Sequence, residues 1–538
     1  MFNNNDNDLQ KRLLIALLIT TALTIGYISF QQFFSPKEKN SLSQNQVKTE
    51  TASIKYKSSQ IINSQTKTKV SGDFNLLIGS KRRNVDDLKN VVSINTAYGN
   101  VKISKIGARI VSIYVKKFKT DIISDFSKKE KIFPTEIITT NDKLTELINF
   151  SEYELKKEST KDKERYIFTL NKGNIKVVKI YEIKDDGTFS LKIKMEGLNN
   201  VGLAIINGVE LNSLDSSFGH SGAIIKTDKE LIKLDPDIKQ EQIIRGNIIW
   251  AGEENKYFLQ MLASKEGFST THIIPIANQT TLVLSEINSN NIDGLFFGGP
   301  KLYSLLKRID EEYSKLWNVN LDLEDSIDFG FFGILGKPLF LIMHMINQYV
   351  HHWALTIIII TILLRIVLFP LNHKSLKAMK KMSELAPKIQ QLQKKYKDDP
   401  QKLNEEMMKL YSQYGANPMS GCLPLLAQIP IFIALYNVLM VTVELKNESF
   451  LWISDLADKD PYYILPILMG LSMVAQQWIT PSSDKNQKMM MYIMAGVFTF
   501  LFMNFPAGLV LYWLTNNILG IFQSFIINKQ MEKDKNKA

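Results

Sequence analysis

The chain has 538 residues, 45% hydrophobic and 22% charged, with a formal net charge of +11. This mixture argues against a purely soluble domain and suggests a membrane part joined to a sizeable soluble part. The single cysteine, Cys422, excludes an intramolecular disulfide, so any large extracytoplasmic domain relies on its core alone.

Residues 1–12 are polar and end in Lys11-Arg12, and residues 13–30 form an apolar run of near-spanning length. The run ends Ser29-Phe30-Gln31-Gln32, without the small-x-small site of a cleaved signal peptide. The expectation is an uncleaved transmembrane signal anchor with a cytoplasmic N-terminus. Residues 31–75, rich in Ser, Lys, Gln, Thr and Asn and without periodicity, read as a flexible tether.

From 76 to 325 short β-rich segments alternate with turn residues. Examples are 91–96, 101–106, 110–115, 175–181 and 189–195, several with the apolar–polar alternation of half-buried strands. About 250 residues of this texture predict one large β-sandwich, followed by a helical stretch near 303–316. Residues 329–350 then predict an amphipathic helix beginning near Lys337-Pro338, with Leu339, Leu341, Ile342, Met345 and Ile346 at helical spacing. Two placements are open for it: flat in the membrane surface, or leading into the next span.

The run 353–369 is long enough to cross a bilayer and contains Arg365. A central arginine costs roughly 2.5–3.5 kcal/mol there, so such a residue usually faces a polar cavity. Arg365 also lies about one turn before Pro370, from where it can reach the headgroups. Four more apolar stretches follow, at 421–443, 463–480, 489–505 and 507–527, the last two joined by the tight turn Phe505-Pro506-Ala507-Gly508. With the anchor, and with the second span at 351–370, this predicts six transmembrane helices.

The segment 371–420 holds ten lysines and should be cytoplasmic; the loop 444–462 carries Glu444, Glu448, Asp455, Asp458 and Asp460 and should face outward. A short loop at 481–488 and the basic tail 528–538 return to the cytoplasm. Both termini are then inside, and the β-rich domain is outside. Within 371–420, Met379, Met382, Leu385, Ile389 and Leu392 recur three or four apart, and Asp398-Asp399-Pro400 breaks the pattern. We expect an antiparallel helical hairpin.

Catalytic constellations are lacking. Gly219-His220-Ser221-Gly222 resembles part of a nucleophile elbow, but Ala223 stands where the last glycine belongs. His351 and His352 are adjacent, and so project about 100° apart on a helix, poorly placed to share a metal. Cys422 has no base nearby in sequence and reads as a packing residue. No metal or cofactor is expected. The later spans instead carry uncharged polar residues, among them Gln428, Asn437, Ser472, Gln476, Gln477, Thr499, Thr515, Asn516 and Asn517; Thr361 lies one turn from Arg365. Helix–helix hydrogen bonds and a wet groove both account for them. The absence of an acidic proton relay argues against an ion-coupled transporter.

Several stretches resemble one family. Residues 417–432 (Asn417-Pro418-Met419-Ser420-Gly421-Cys422-Leu423-Pro424 onward), Phe450-Leu451-Trp452-Ile453-Ser454-Asp455-Leu456, Asp460-Pro461-Tyr462-Tyr463 and 505–513 are similar to signatures of the YidC/Oxa/Alb insertases. So are Phe329-Gly330-Phe331-Phe332-Gly333, Trp250 with Gly252, Lys256-Tyr257-Phe258 and Gly298-Gly299-Pro300-Lys301. The resemblance spans nearly the whole chain apart from the tether. It implies a Gram-negative inner-membrane, polytopic α-helical protein, with a five-helix insertase core and a periplasmic all-β supersandwich domain. It implies a hydrophilic groove open to cytoplasm and lipid, in which Arg365 and Thr361 match the family's groove arginine and its neighbouring threonine. Gln428 and Trp513 are taken as further groove residues; Trp513 is a departure, since a tyrosine is common there in relatives. Lys374, Lys377, Lys380 and Lys381 lie on the hairpin implied to recruit substrates. Nascent membrane proteins, the Sec translocon, the ribosome and the lipid bilayer are the implied partners; DNA is not. The lysines suit ribosomal RNA or anionic lipid, and equally suit ordinary positive-inside charge. No bond-making chemistry is implied, so the chain is not expected to be an enzyme.

Overall fold

The computed structural model describes Phe74 and, with gaps at 160–163, 185–187, 213–218, 278–279, 331–332, 398, 415–422 and 480–484, residues 89–535. The expected anchor (13–30), the tether up to Asp73, Cys422 and residues 536–538 lie outside the described residues.

Alternation builds the β domain. The strand Phe189–Glu196 buries Phe189, Leu191, Ile193 and Met195 and turns its lysines and Glu196 outward or to the edge. It pairs antiparallel with Ile175–Ile183, whose Val177, Lys179 and Tyr181 are buried. Twelve strands join this sheet, and the longest, Phe258–Ala277, pairs with three neighbours: Gln242–Glu254, Thr280–Ile287 and Asn291–Pro300. Register shifts in these pairings mark irregularities that bend the long strands. A second, four-stranded sheet begins at Val91–Thr96 and packs Ile94, Val101, Ile103, Ile110, Val111 and Ile113 into the same core. Three helices interrupt the all-β texture: α1 (Asp125–Glu130), α2 (Asp142–Phe150) and α3 (Tyr303–Trp317). Ser124 and Asn141 cap the first two by accepting backbone N–H groups.

Several buried charges in this domain are closely engaged. Arg109 and Glu136, both without solvent exposure, form a 2.8 Å ion pair, and the guanidinium lies 5.3 Å from the Phe133 and Phe150 rings. Lys179 Nζ donates to the carbonyls of Gly107 and Thr135, each at 2.8 Å. Burial pulls its pKa down to about 7, helped by Arg109 and opposed by Glu136. Glu253 and Glu254 are consecutive on one strand and therefore point to opposite faces. Burial pushes the Glu253 carboxyl up to about 8, although Thr281 Oγ1 donates to it at 2.7 Å. Burial acts on Glu254 in the same sense, but Lys301, His220 and Lys233 overrule it and hold that carboxyl at about 2.

The Glu254 cluster fastens the exit from the β domain. Lys301 and Lys233 each lie 3.2 Å from Glu254 and also donate to the Ser326 carbonyl. Trp250 Nε1 donates to the Leu321 carbonyl at 2.8 Å, and Lys226 pairs with Asp322. Residues 321–328 are thereby strapped to the sheet before the chain enters its helical part.

That part consists of α4 (Gly333–Val350), α5 (Trp353–Val367), α6 (Phe369–Lys395), α7 (Pro400–Gln413), α8 (Leu423–Val441), α9 (Ile464–Ile479), α10 (Lys485–Phe502) and α11 (Ala507–Lys535). Four boundaries differ from the sequence reading. α4 starts at Gly333, about one turn before Lys337-Pro338, with Pro338 inside the helix. The chain bends by 63° between α5 and α6, and the first hairpin helix starts at Phe369, two residues before the segment expected from 371. Pro370 explains both: its ring blocks continuation of α5, and it fits the first turn of a new helix. α10 begins at Lys485, which shortens the loop placed at 481–488. α11 runs on to Lys535 because no Gly or Pro after Gly520 stops it, so most of the expected tail is helical.

Candidate substrate groove

Arg365 sits in the last turn of α5, where the helix dipole favours a cation. It is half-buried. Its Nη1 reaches Asn516 Oδ1 of α11 at 3.4 Å, and its Nε is buried without a hydrogen-bond partner. Among the described residues no carboxylate lies within ion-pair distance of it.

Tyr512, Asn516 and Gly520 follow at intervals of four on α11 and so share one face. That face turns to Arg365. Tyr512 is close enough to interact with the guanidinium electrostatically, and its hydroxyl accepts from Gln428 Nε2 of α8. Gln476 of α9 lies on the same side, next to Gly520. Arg365, Gln428, Gln476 and Asn516 are all half-buried, so this polar strip is neither packed shut nor fully open.

The other expected groove residues are placed differently. Thr361 is buried, and its hydroxyl donates to the Ile357 carbonyl of its own helix at 2.6 Å. Trp513 faces away from the Tyr512 stripe, against Phe432 of α8 at 4.9 Å and Phe498 and Phe502 of α10 at 5.9 and 5.2 Å. The hydroxyl on the Arg365 side belongs to the preceding residue, Tyr512. Several polar residues in the spans serve helix packing: Asn517 donates to Ser472, Asn437 to the Phe329 carbonyl, and Thr499 and Thr515 to carbonyls one turn back.

At one end the loop 444–462 packs against the α10–α11 turn. Ile453, Leu456 and Phe505 are buried, and the Ala507 and Gly508 N–H groups donate to the carbonyls of Asp458 and Leu456. Asp460 caps the start of α9, accepting from Leu465 N at 2.7 Å and from Trp452 Nε1 at 3.1 Å. The acidic loop also touches the β domain. Glu444 accepts from Tyr303 N, its carbonyl accepts from Lys117 Nζ, and Val443 joins the β-domain core.

At the other end α6 and α7 form the hairpin. Met379, Met382, Leu385, Ile389 and Leu392 are buried or half-buried, and Asp399 caps α7 by accepting from Lys402 N. Lys374, Lys377 and Lys381 are exposed, whereas Lys380 is half-buried and reaches the Asn528 carbonyl of α11 at 3.5 Å.

Comparison with known proteins follows this division. A profile of the 60Kd inner membrane protein matches residues 345–535, and one of the YidC periplasmic domain matches 91–342. The membrane protein insertase YidC of Aquifex aeolicus is 37% identical over 99% of both chains. The chain belongs to the YidC membrane protein insertase family. The YidC of Helicobacter pylori strain 26695 is 32% identical over 99% of this chain and 98% of its own. A crystal structure of an active YidC insertase with its first transmembrane domain resolved shares 22% identity at a TM-score of 0.43, covering 81% of this chain and 93% of that one. The two profiles meet inside α4, so the periplasmic-domain match runs past the strapped segment 321–328 into that helix.

Proposed function

We propose that this YidC family member inserts nascent membrane proteins by offering the polar strip around Arg365 to client segments that resist crossing hydrocarbon. The observation that carries the reading is Arg365 itself: half-buried, with only a 3.4 Å contact and no carboxylate partner among the described residues. A structural buried arginine is paired, as Arg109 is. An arginine kept for a visitor is not. A client's polar or acidic residue is solvated near Arg365, Asn516 and Gln428. Its apolar part then moves into lipid, driven by burial worth roughly 25 cal/mol per Å². Arg365 acts as an electrostatic partner, and no covalent bond is made or broken.

In this reading α5, α8, α9, α10 and α11 are the five core spans, and residues 13–30 add a sixth. Of the described helices only α11 is long and apolar enough by itself, over Ala507–Gln530; α5 with α6 qualifies as a bent pair, and the apolar parts of α8, α9 and α10 are shorter. A polar strip inside short helices suits a protein that thins the bilayer locally. The termini and hairpin face the cytoplasm, and the hairpin's exposed Lys374, Lys377 and Lys381 present a basic face to incoming chains, the ribosome or anionic lipid. Insertion proceeds alone or beside the Sec translocon.

The test is insertion of a small single-span client into liposomes containing only this protein, read by protease protection. Native protein and Arg365→Lys should insert the client and Arg365→Ala should fail. Full activity of the alanine variant overturns the charged-groove reading.

A further inference from the structure

The polar face of α11 contains one residue with no side chain. Gly520 lies one turn beyond Asn516, under the Arg365 head. A Cβ placed on it would stand 2.6 Å from Arg365 Nη2 and 2.9 Å from Gln476 Nε2. Both distances are well inside van der Waals contact, so the guanidinium occupies space that any other residue would fill. The backbone does not ask for glycine here, because Gly520 is helical and has no positive φ. Glycine inside a helix is otherwise unfavourable. Gly496 of α10 makes the contrast, since a Cβ there meets nothing within 4 Å.

Strong bonds do not hold the Arg365 head: its Nε has no partner, and Nη1 makes one long contact. Its place is set by shape, with Gly520 as the floor and Gln476 as a side wall. We propose that Gly520 is a positioning residue, which seats the Arg365 guanidinium against α11 and so fixes where its charge meets an acidic client. The inference rests on the charged-groove reading. It also predicts a mild variant. A methyl at Gly520 meets the far ends of two flexible side chains, so Gly520→Ala folds and displaces the charge.

Full-length native protein, Gly520→Ala, Gly496→Ala, Arg365→Ala and the Gly520→Ala/Arg365→Ala double variant would each be reconstituted in liposomes. Two single-span clients would be compared, identical except for Asp or Asn in the translocated segment. Gly520→Ala should lower insertion of the Asp client several-fold and leave the Asn client near native, which also certifies the fold. Gly496→Ala should change neither. The double variant should lose no more than Arg365→Ala alone. Native insertion of the Asp client by Gly520→Ala, equal loss with both clients, or additive loss in the double variant overturns the seating role. If Arg365→Ala itself spares the Asp client, the charged-groove reading fails first and the seating role falls with it.

Discussion

The β domain and the helical bundle treat buried charge in opposite ways. In the β domain Arg109 meets Glu136 at 2.8 Å, Glu254 is held by Lys301, Lys233 and His220, and Lys179 is saturated with carbonyls. In the bundle Arg365 has a single long contact to a neutral amide. The first arrangement spends charge on holding one structure. The second leaves charge unspent. Burial alone therefore does not single out Arg365; a buried guanidinium without a carboxylate partner does.

The largest expected effect that tests this contrast is Glu136→Ala. It removes the carboxylate that faces the buried Arg109 guanidinium, a loss that costs about 3–5 kcal/mol, and the thermal unfolding temperature of the β domain should fall accordingly. Arg365→Ala should show the reverse signature: insertion of an acidic client is lost, and the melting temperature is unchanged or higher. Equal destabilisation by both substitutions would erase the distinction.

Next comes Gly470→Ala, where α9 meets Thr499 of α10. The added methyl would lie 2.0 Å from Thr499 Oγ1, and overpacking of this kind costs about 1–3 kcal/mol. Thr499→Ala in the same protein should restore part of the lost thermal stability. Trp250→Phe removes the bond to the Leu321 carbonyl and also leaves a small cavity at a fully buried site, so it should cost at least about 1 kcal/mol, read as a drop in the denaturation midpoint.

The last effect is a change of slope with pH. Glu253 holds its proton to about pH 8 in the folded chain, against 4.5 ordinarily. A raised carboxyl contributes stability that is complete below about pH 4.5 and is lost as the pH climbs to about 8. Glu253→Gln should flatten stability across that window and leave the protein more stable than native near pH 8. Glu254 acts in the other direction. Its contribution is complete above about pH 4.5 and fades as the pH falls toward 2. Thermal melts of Glu253→Gln and Glu254→Gln across pH 3–9 separate the two carboxyls.

Much of this was legible in the sequence. The alternation in 91–96, 175–181 and 189–195 marks strands observed at Val91–Thr96, Ile175–Ile183 and Phe189–Glu196, because a half-buried strand writes its period into its residues. Arg365 stood out because a charge inside an apolar run has few explanations. The seat of that charge was not legible. Tyr512 looked like one aromatic among many, and Gly520 like an ordinary glycine; each acquires meaning only from what the neighbouring helices bring against it. Thr361 illustrates the converse. Its spacing from Arg365 predicts a shared face, yet its hydroxyl turns back to its own helix. The Glu254 cluster joins residues from 220 to 328, and no local pattern announces such a meeting.

The 63° bend after α5 has an electrical consequence. Arg365 lies three residues before the bend residue Leu368, about 4.5 Å along the axis at 1.5 Å per residue. In the proposed orientation this is the cytoplasmic edge of the span, where little of the transmembrane potential has been crossed. The potential then does almost no work on the arginine. A client carboxylate released from it faces nearly the whole drop, and outward movement of a negative charge is favoured by about 2.3 kcal/mol per 100 mV. In the proposed reading a shallow cation serves as a loading dock: the protein stays electrically still, and the membrane's own voltage adds to apolar burial in moving an acidic client outward.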